Sequence, residues 1–155
     1  MNYIIREYTK EDVEGIKKCI LELKQFEQML DPDRLEGMEI AQEYLEYLLD
    51  IHRADKGKLF VVEIGNEIIG MVSVSIHTGQ KDTRSYAEVS DVMILPEFKD
   101  KGIMKALLEK AEEYAQSKKL SAVRTTLLSK HAEGIDGFQR NGYSNYEIIL
   151  QKKLD

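Results

Sequence analysis

A chain of 155 residues is the length of one ordinary domain, and 43% hydrophobic with 32% charged residues is the balance of a packed soluble fold, not of a disordered or membrane-embedded one. The formal charge of -6, from 28 acidic against 22 basic residues, argues against a partner held by its phosphates, so no nucleic acid is expected. The single cysteine, Cys19, excludes an internal disulfide framework, and three scattered histidines make no ligand cluster, so no metal is expected.

The opening from Met1 to Glu7 meets charge too early for a signal peptide, and no apolar run approaches the roughly 18 residues of a membrane span, so a cytoplasmic protein with no membrane partner is expected. Residues 3–8 read as a strand. Thr9-Lys10-Glu11-Asp12 supplies a cap and first-turn acids for a helix carried by Val13, Ile16, Ile20, Leu23 and Phe26, which Asp31-Pro32-Asp33 stops. Cys19 lies in its apolar stretch as an inert packing residue. Ile40, Tyr44, Leu45, Leu48 and Leu49 mark a second helix ending near Arg53, whose stripe reads as core.

Leu59–Glu63 and Glu67–His77 are two strands joined by the turn signal Gly65-Asn66. The polar stretch from Thr78 to Ser85 is a loop, and Tyr86–Leu95 is a further strand closed by Pro96. Ile103, Ala106, Leu107, Ala111, Tyr114 and Ala115 form one face of a third helix over about 101–118. Ala122–Leu128 follows as a strand parallel to Tyr86–Leu95, because a long helix joins the two. A short helix spans about 132–141, Gly142 takes the left-handed position after it, and Tyr143–Lys153 ends the chain as a strand. One domain, residues 1–155, is expected.

The most informative stretch is the sequence strand, Pro96, basic loop, Gly102, helix. A helix start presents free amides and about half a positive charge, so it can hold phosphate oxygens. Gly102 lets the backbone approach such a ligand, and Lys99, Lys101 and Lys105 surround the same point. A lysine-rich helix start with one glycine is also the ordinary composition of a solvated surface.

Lys99-Asp100-Lys101-Gly102-Ile103-Met104 resembles the acetyl-CoA-binding motif of the GNAT family of N-acetyltransferases, written Arg/Gln-x-x-Gly-x-Gly/Ala. Phe138-Gln139-Arg140-Asn141-Gly142-Tyr143 likewise stands where many members have Tyr-Glu-Lys-x-Gly-Phe, and the order of elements is similar over nearly the whole chain. The resemblance implies an α/β fold with a mixed, mostly antiparallel sheet of six to seven strands, a parallel central pair and about four flanking helices. It implies acetyl-CoA as co-substrate and a small-molecule or peptide amine as acceptor, attacked directly with no covalent enzyme intermediate. Coenzyme contacts are implied for Lys99, Lys101, Gly102, Ile103, Met104 and Lys105, for backbone groups near Met93 and Ile94, and for His131 and Phe138.

Three positions depart from the family pattern. Lys99 offers a point charge where relatives have a planar fork or amide. Met104 stands where a glycine or alanine is usual, so its bulk must point away from the diphosphate or narrow the site. Phe138 replaces the tyrosine that many relatives use to protonate the leaving thiolate, which leaves water, Tyr143 or Tyr146. Glu88 and Asp91 are the candidate bases; strand alternation sets them on opposite faces unless a bulge intervenes, and each reads equally well as a structural carboxylate. An acyl-CoA-binding module with weakened turnover is the alternative function, and a homodimer is compatible with the sequence.

Overall fold

The computed structural model describes residues 2–154. Strand β1 (Ile4–Glu7) leads into a 3-10 turn at Lys10–Asp12 and then helix α1 (Val13–Leu30). Asp12 fixes this entry: its carboxylate accepts from the Thr9 amide at 2.7 Å and from the Arg6 guanidinium at 2.7 and 3.0 Å. Helix α2 (Met38–Arg53) turns the chain back toward the sheet, and strands β2 (Gly57–Ile64) and β3 (Glu67–His77) form the expected hairpin.

Strand β4 (Tyr86–Ile94), helix α3 (Ile103–Ser117) and strand β5 (Val123–Thr125) make the parallel crossover, followed by helix α4 (Ala132–Arg140). The strand order is β1-β2-β3-β4-β5, antiparallel except for the last pair. Strand β3 is buried continuously from Ile68 to Ser75, as a strand covered on both faces must be. Helices α1 and α2 pack together over one face and α3 covers the other; Ile16, Ile20, Leu45, Ile69, Met71, Leu107 and Leu108 are among the fully buried core side chains.

The mixed α/β class and the four helices are as expected, but the described residues form five strands rather than six or seven, and the parallel pair lies at one edge rather than in the centre. Residues 143–154 carry a strand-like sequence, but among the described residues they join no ladder, and the β5 edge stays unpaired. β5 is shorter than the expected 122–128 because the chain parts from β4 after Thr125.

Candidate active site

The β4–β5 ladder joins only Ala87 to Val123, Glu88 to Arg124 and Val89 to Thr125. The Thr125 hydroxyl donates to the Val89 carbonyl at 2.9 Å and ends it. Residues 90–94 of β4 therefore run on with no partner on that side, and a slot opens between the two strands. The Leu95 amide donates to the Ile69 carbonyl, so alternation turns the backbone groups of Met93 toward β3 and those of Val92 and Ile94 into the slot. Of the two residues expected here, Ile94 presents its main chain to the slot and Met93 does not.

At the end of β4, Pro96–Phe98 forms a 3-10 turn, Asp100 takes a left-handed conformation (φ 62°), and Gly102 follows as the N-cap of α3 at φ 76°. No side chain caps the helix, and a Cβ built on Gly102 would meet nothing within 4 Å. The first amides of α3, from Ile103 to Lys105, thus face open space. Lys99, Lys101 and Lys105 are exposed, and none forms an ion pair with another described residue. Lys99 leans toward α1, its Nζ 5.8 Å from the centre of the Phe26 ring. Met104 points away from the loop into the α3–α4 contact: its Sδ lies 2.9 Å from where a Cβ on Gly137 would stand. A bulky side chain is accommodated at this motif position because α4 has no side chain opposite it.

His131 caps the entry to α4 and packs edge-on against Phe26, ring centroids 4.8 Å apart, over Gly134. Burial, opposed by Glu133 and aided by Lys99, holds the His131 imidazole below its ordinary pKa. Phe138 is buried and packs edge-on against Tyr143. Tyr143 donates to Glu112 on α3 at 2.9 Å, and burial followed by this bond raises its pKa, so it is a committed donor rather than a ready proton source. Tyr146 is exposed and accepts from Arg124 at 3.1 Å.

A register shift lies between Ser73 and Val74 of β3, where β4 carries Ser90 as an extra residue. This bulge brings Glu88 and Asp91 to one face, the face covered by α2. Asp91 accepts from the hydroxyls of Tyr44 and Ser73, and Glu88 lies 3.5 Å from His77, which in turn contacts Ser75. Asp91 is 9% exposed, and desolvation raises its pKa against the lowering effect of the Tyr44 hydrogen bond and Lys24. Tyr44 is itself pushed up, first by burial and then by Asp91.

The apolar stripe of α2 reads Tyr44 as core; its hydroxyl is instead the donor that holds Asp91, with the Lys24 ammonium 3.9 Å over its ring. Tyr44 also lines a cavity of about 470 Å³ between α1 and α2, together with Glu27, Asp33, Glu43, Tyr47 and Arg34. Lys24 lines it as well, and Lys24 and Arg34 both pair with Glu27, so the cavity wall carries charges of both signs. Among the described residues no group of three or more potential metal ligands occurs. No helix among them is long and apolar enough to cross a membrane.

Residues 23–143 match the family described as the acetyltransferase (GNAT) family. An uncharacterized N-acetyltransferase of Methanocaldococcus jannaschii is 25% identical over 148 residues, which is 95% of this chain but 63% of that protein. Among solved structures, a transcriptional regulator of Bacillus halodurans superposes with a TM-score of 0.80 at 18% identity, over 99% of this chain and 100% of its own. The aminoglycoside acetyltransferase AAC(6')-Iy, bound to a bisubstrate analogue of CoA, superposes with a TM-score of 0.74 at 16% identity, over 100% and 99%. At these identities the structural likeness is one of fold.

Proposed function

Because this chain belongs to the GNAT acetyltransferase family, we propose that it transfers the acetyl group of acetyl-CoA to a primary amine of a small molecule or peptide by direct attack. The observation that carries this reading is the coincidence of an uncapped, open helix start at Gly102 with the slot that begins where the β4–β5 ladder stops. The two features would receive the two ends of one long ligand, a diphosphate and an extended amide-bearing arm.

In this reading the amides of Ile103, Met104 and Lys105, with Lys99, Lys101 and Lys105, would hold the diphosphate. The Val92 and Ile94 main chain would pair with the arm as a missing strand would, and an amide there would polarise the thioester carbonyl. His131 and Phe138 would form the wall on the α4 side. Bound acetyl-CoA supplies an activated acyl group on a thiol leaving group whose reference pKa is about 8.5, so water suffices as its proton source where Phe138 cannot act.

Asp91 is the base in this scheme. An alkyl ammonium has a pKa of about 10.4, and a carboxylate raised toward neutrality accepts its proton, directly or through water, better than a solvated one. Tyr44 and Ser73 orient Asp91, and Glu88, on the same face, attracts the cationic acceptor. Release of free thiol on mixing the protein with acetyl-CoA and a panel of amines tests the reading. Binding of acetyl-CoA without thiol release for any amine would instead favour the acyl-CoA-binding module that the Phe138 and Met104 departures permit.

A further inference from the structure

β3 carries a polar stripe that burial makes costly. Alternation turns Ser73, Ser75 and His77 to the face under α2, while Val72, Val74 and Ile76 face the other way. Ser73 is 4% and Ser75 8% exposed. A hydroxyl taken from water into a core has to recover its hydrogen bonds from neighbours. Here the neighbours form a line. The Ser73 hydroxyl donates to Asp91 at 3.3 Å and shares a hydrogen bond of 2.6 Å with Ser90, the extra residue of the bulge. The Ser75 hydroxyl bonds His77 Nε2 at 3.2 Å, and the same nitrogen lies 3.5 Å from Glu88. His77 reaches the surface beside Tyr86, on whose ring it stacks with centroids 5.2 Å apart.

The line has one gap, between the Ser73–Ser90 pair and Ser75. A cavity of about 10 Å³ lies there, bordered by all three serines under Leu48 of α2. It has room for about one water, and three hydroxyls are the number of partners a buried water takes. His52 and Lys58 also border it, but their nitrogens are directed to Tyr8 and Glu7. At the other end, the hydrogen bonds that Asp91 accepts from Tyr44 and Ser73 both end on Oδ2, which leaves Oδ1 for an acceptor amine. An acceptor seated in the α1–α2 cavity covers the Tyr44 side of this buried carboxylate, so a proton given to Asp91 has to leave on the Ser73 side.

We propose that Ser73, Ser75 and His77, joined by one water in the small cavity, carry that proton from Asp91 to solvent. The inference rests on the proposed role of Asp91 as base. The proton on Asp91 passes to Ser73 as the Ser73 proton moves to the water, a water proton to Ser75 and the Ser75 proton to His77 Nε2. Each oxygen takes one proton and gives one, so Asp91 loses a proton and His77 gains one. His77 receives it as the neutral ring protonated at Nδ1, and Glu88 steadies the imidazolium until bulk water or buffer takes the proton.

Release of this proton follows acetyl transfer, so blocking it should lower kcat and leave kcat/KM for the amine unchanged. His77→Ala and Ser75→Val should each lower kcat about tenfold or more, with far-ultraviolet dichroism and acetyl-CoA binding unchanged. The first turnover should keep its native rate, seen as a burst of thiol before the slow phase. Imidazole in the buffer should restore His77→Ala in proportion to its concentration, beyond the rate of imidazole alone. It should leave Ser75→Val slow, because that side chain interrupts the line upstream of His77. A crystal structure of the native chain should show a water bonded to Ser75 and to Ser73 or Ser90. Native kcat in both variants, a loss in His77→Ala that imidazole does not restore, or a dry cavity would overturn the track and leave Asp91 standing as base. A native chain that releases no thiol with any amine would overturn the track together with the reading it rests on.

Discussion

Met104 Sδ lies 2.9 Å from the position of a Cβ on Gly137, so the largest departure at the helix start is matched by the absence of a side chain on α4. Gly137→Ala should force the flexible thioether toward the loop and raise the KM for acetyl-CoA several-fold. Stability should change by less than about 1 kcal/mol, because alanine is the better helix former and the Met side chain can rotate. Adding Met104→Ala should restore the KM. Kinetics on the three variants checks this; no rescue in the double variant would show that the two residues act separately.

The Asp91 carboxyl titrates above its ordinary value of 3.8 because it is buried. Its proton is held more tightly in the folded chain, so its contribution to stability is full below 3.8 and is lost as pH rises through the raised value. Relative to the native chain, Asp91→Asn should therefore gain stability as pH rises from acid to neutral, while kcat falls about 10²- to 10⁴-fold. Denaturation and rate profiles measured on the same samples separate these two effects. A variant that keeps its rate would assign the proton to another group, with Glu88→Gln the next test.

Tyr44→Phe removes the hydrogen bond that holds the Asp91 pKa down. The acid limb of the kcat/KM profile should move to higher pH, and a buried acceptor losing its donor should cost about 1–3 kcal/mol of stability. An unmoved limb would place Asp91 outside the proton path.

Asp12 shows the opposite linkage. The Arg6 guanidinium, first among its partners, holds its carboxyl below the ordinary 3.8, so its contribution is present above that value and is lost as pH falls through the lowered one. Asp12→Asn should cost about 1–3 kcal/mol at pH 7, and the difference should close under strongly acid conditions. Equal urea midpoints at pH 7 would contradict this.

The helices and the hairpin were legible in the sequence because each carries a period: Val13 to Phe26, Ile40 to Leu49 and Ile103 to Ala115 repeat every three or four residues, and Gly65-Asn66 marks its own turn. The bulge at Ser90 was not, since one extra residue in a strand leaves no periodic trace, and it alone decides that Glu88 and Asp91 share a face. Tyr44 was hidden because a tyrosine on an apolar stripe looks the same whether or not its hydroxyl meets a carboxylate. The fit of Met104 against Gly137 is a contact between separate helices, which local pattern does not encode. Tyr143–Lys153 reads as a closing strand from its composition, but the described residues there join no ladder, because local pattern does not state whether a strand finds a partner.

Calorimetric titration of acetyl-CoA and of free CoA into the native chain and into Gly102→Glu tests the central claim most directly. The variant puts a carboxylate into the open space before α3 at a residue with φ 76°. Gly102→Ala serves as the control, separating the cost of the backbone conformation from the effect of the charge. Binding of both ligands to the native chain, partial loss in the alanine variant and near-complete loss in the glutamate variant are the predicted results. Equal affinities in all three proteins, or no binding to the native chain, would contradict the assignment of the helix start as a diphosphate site.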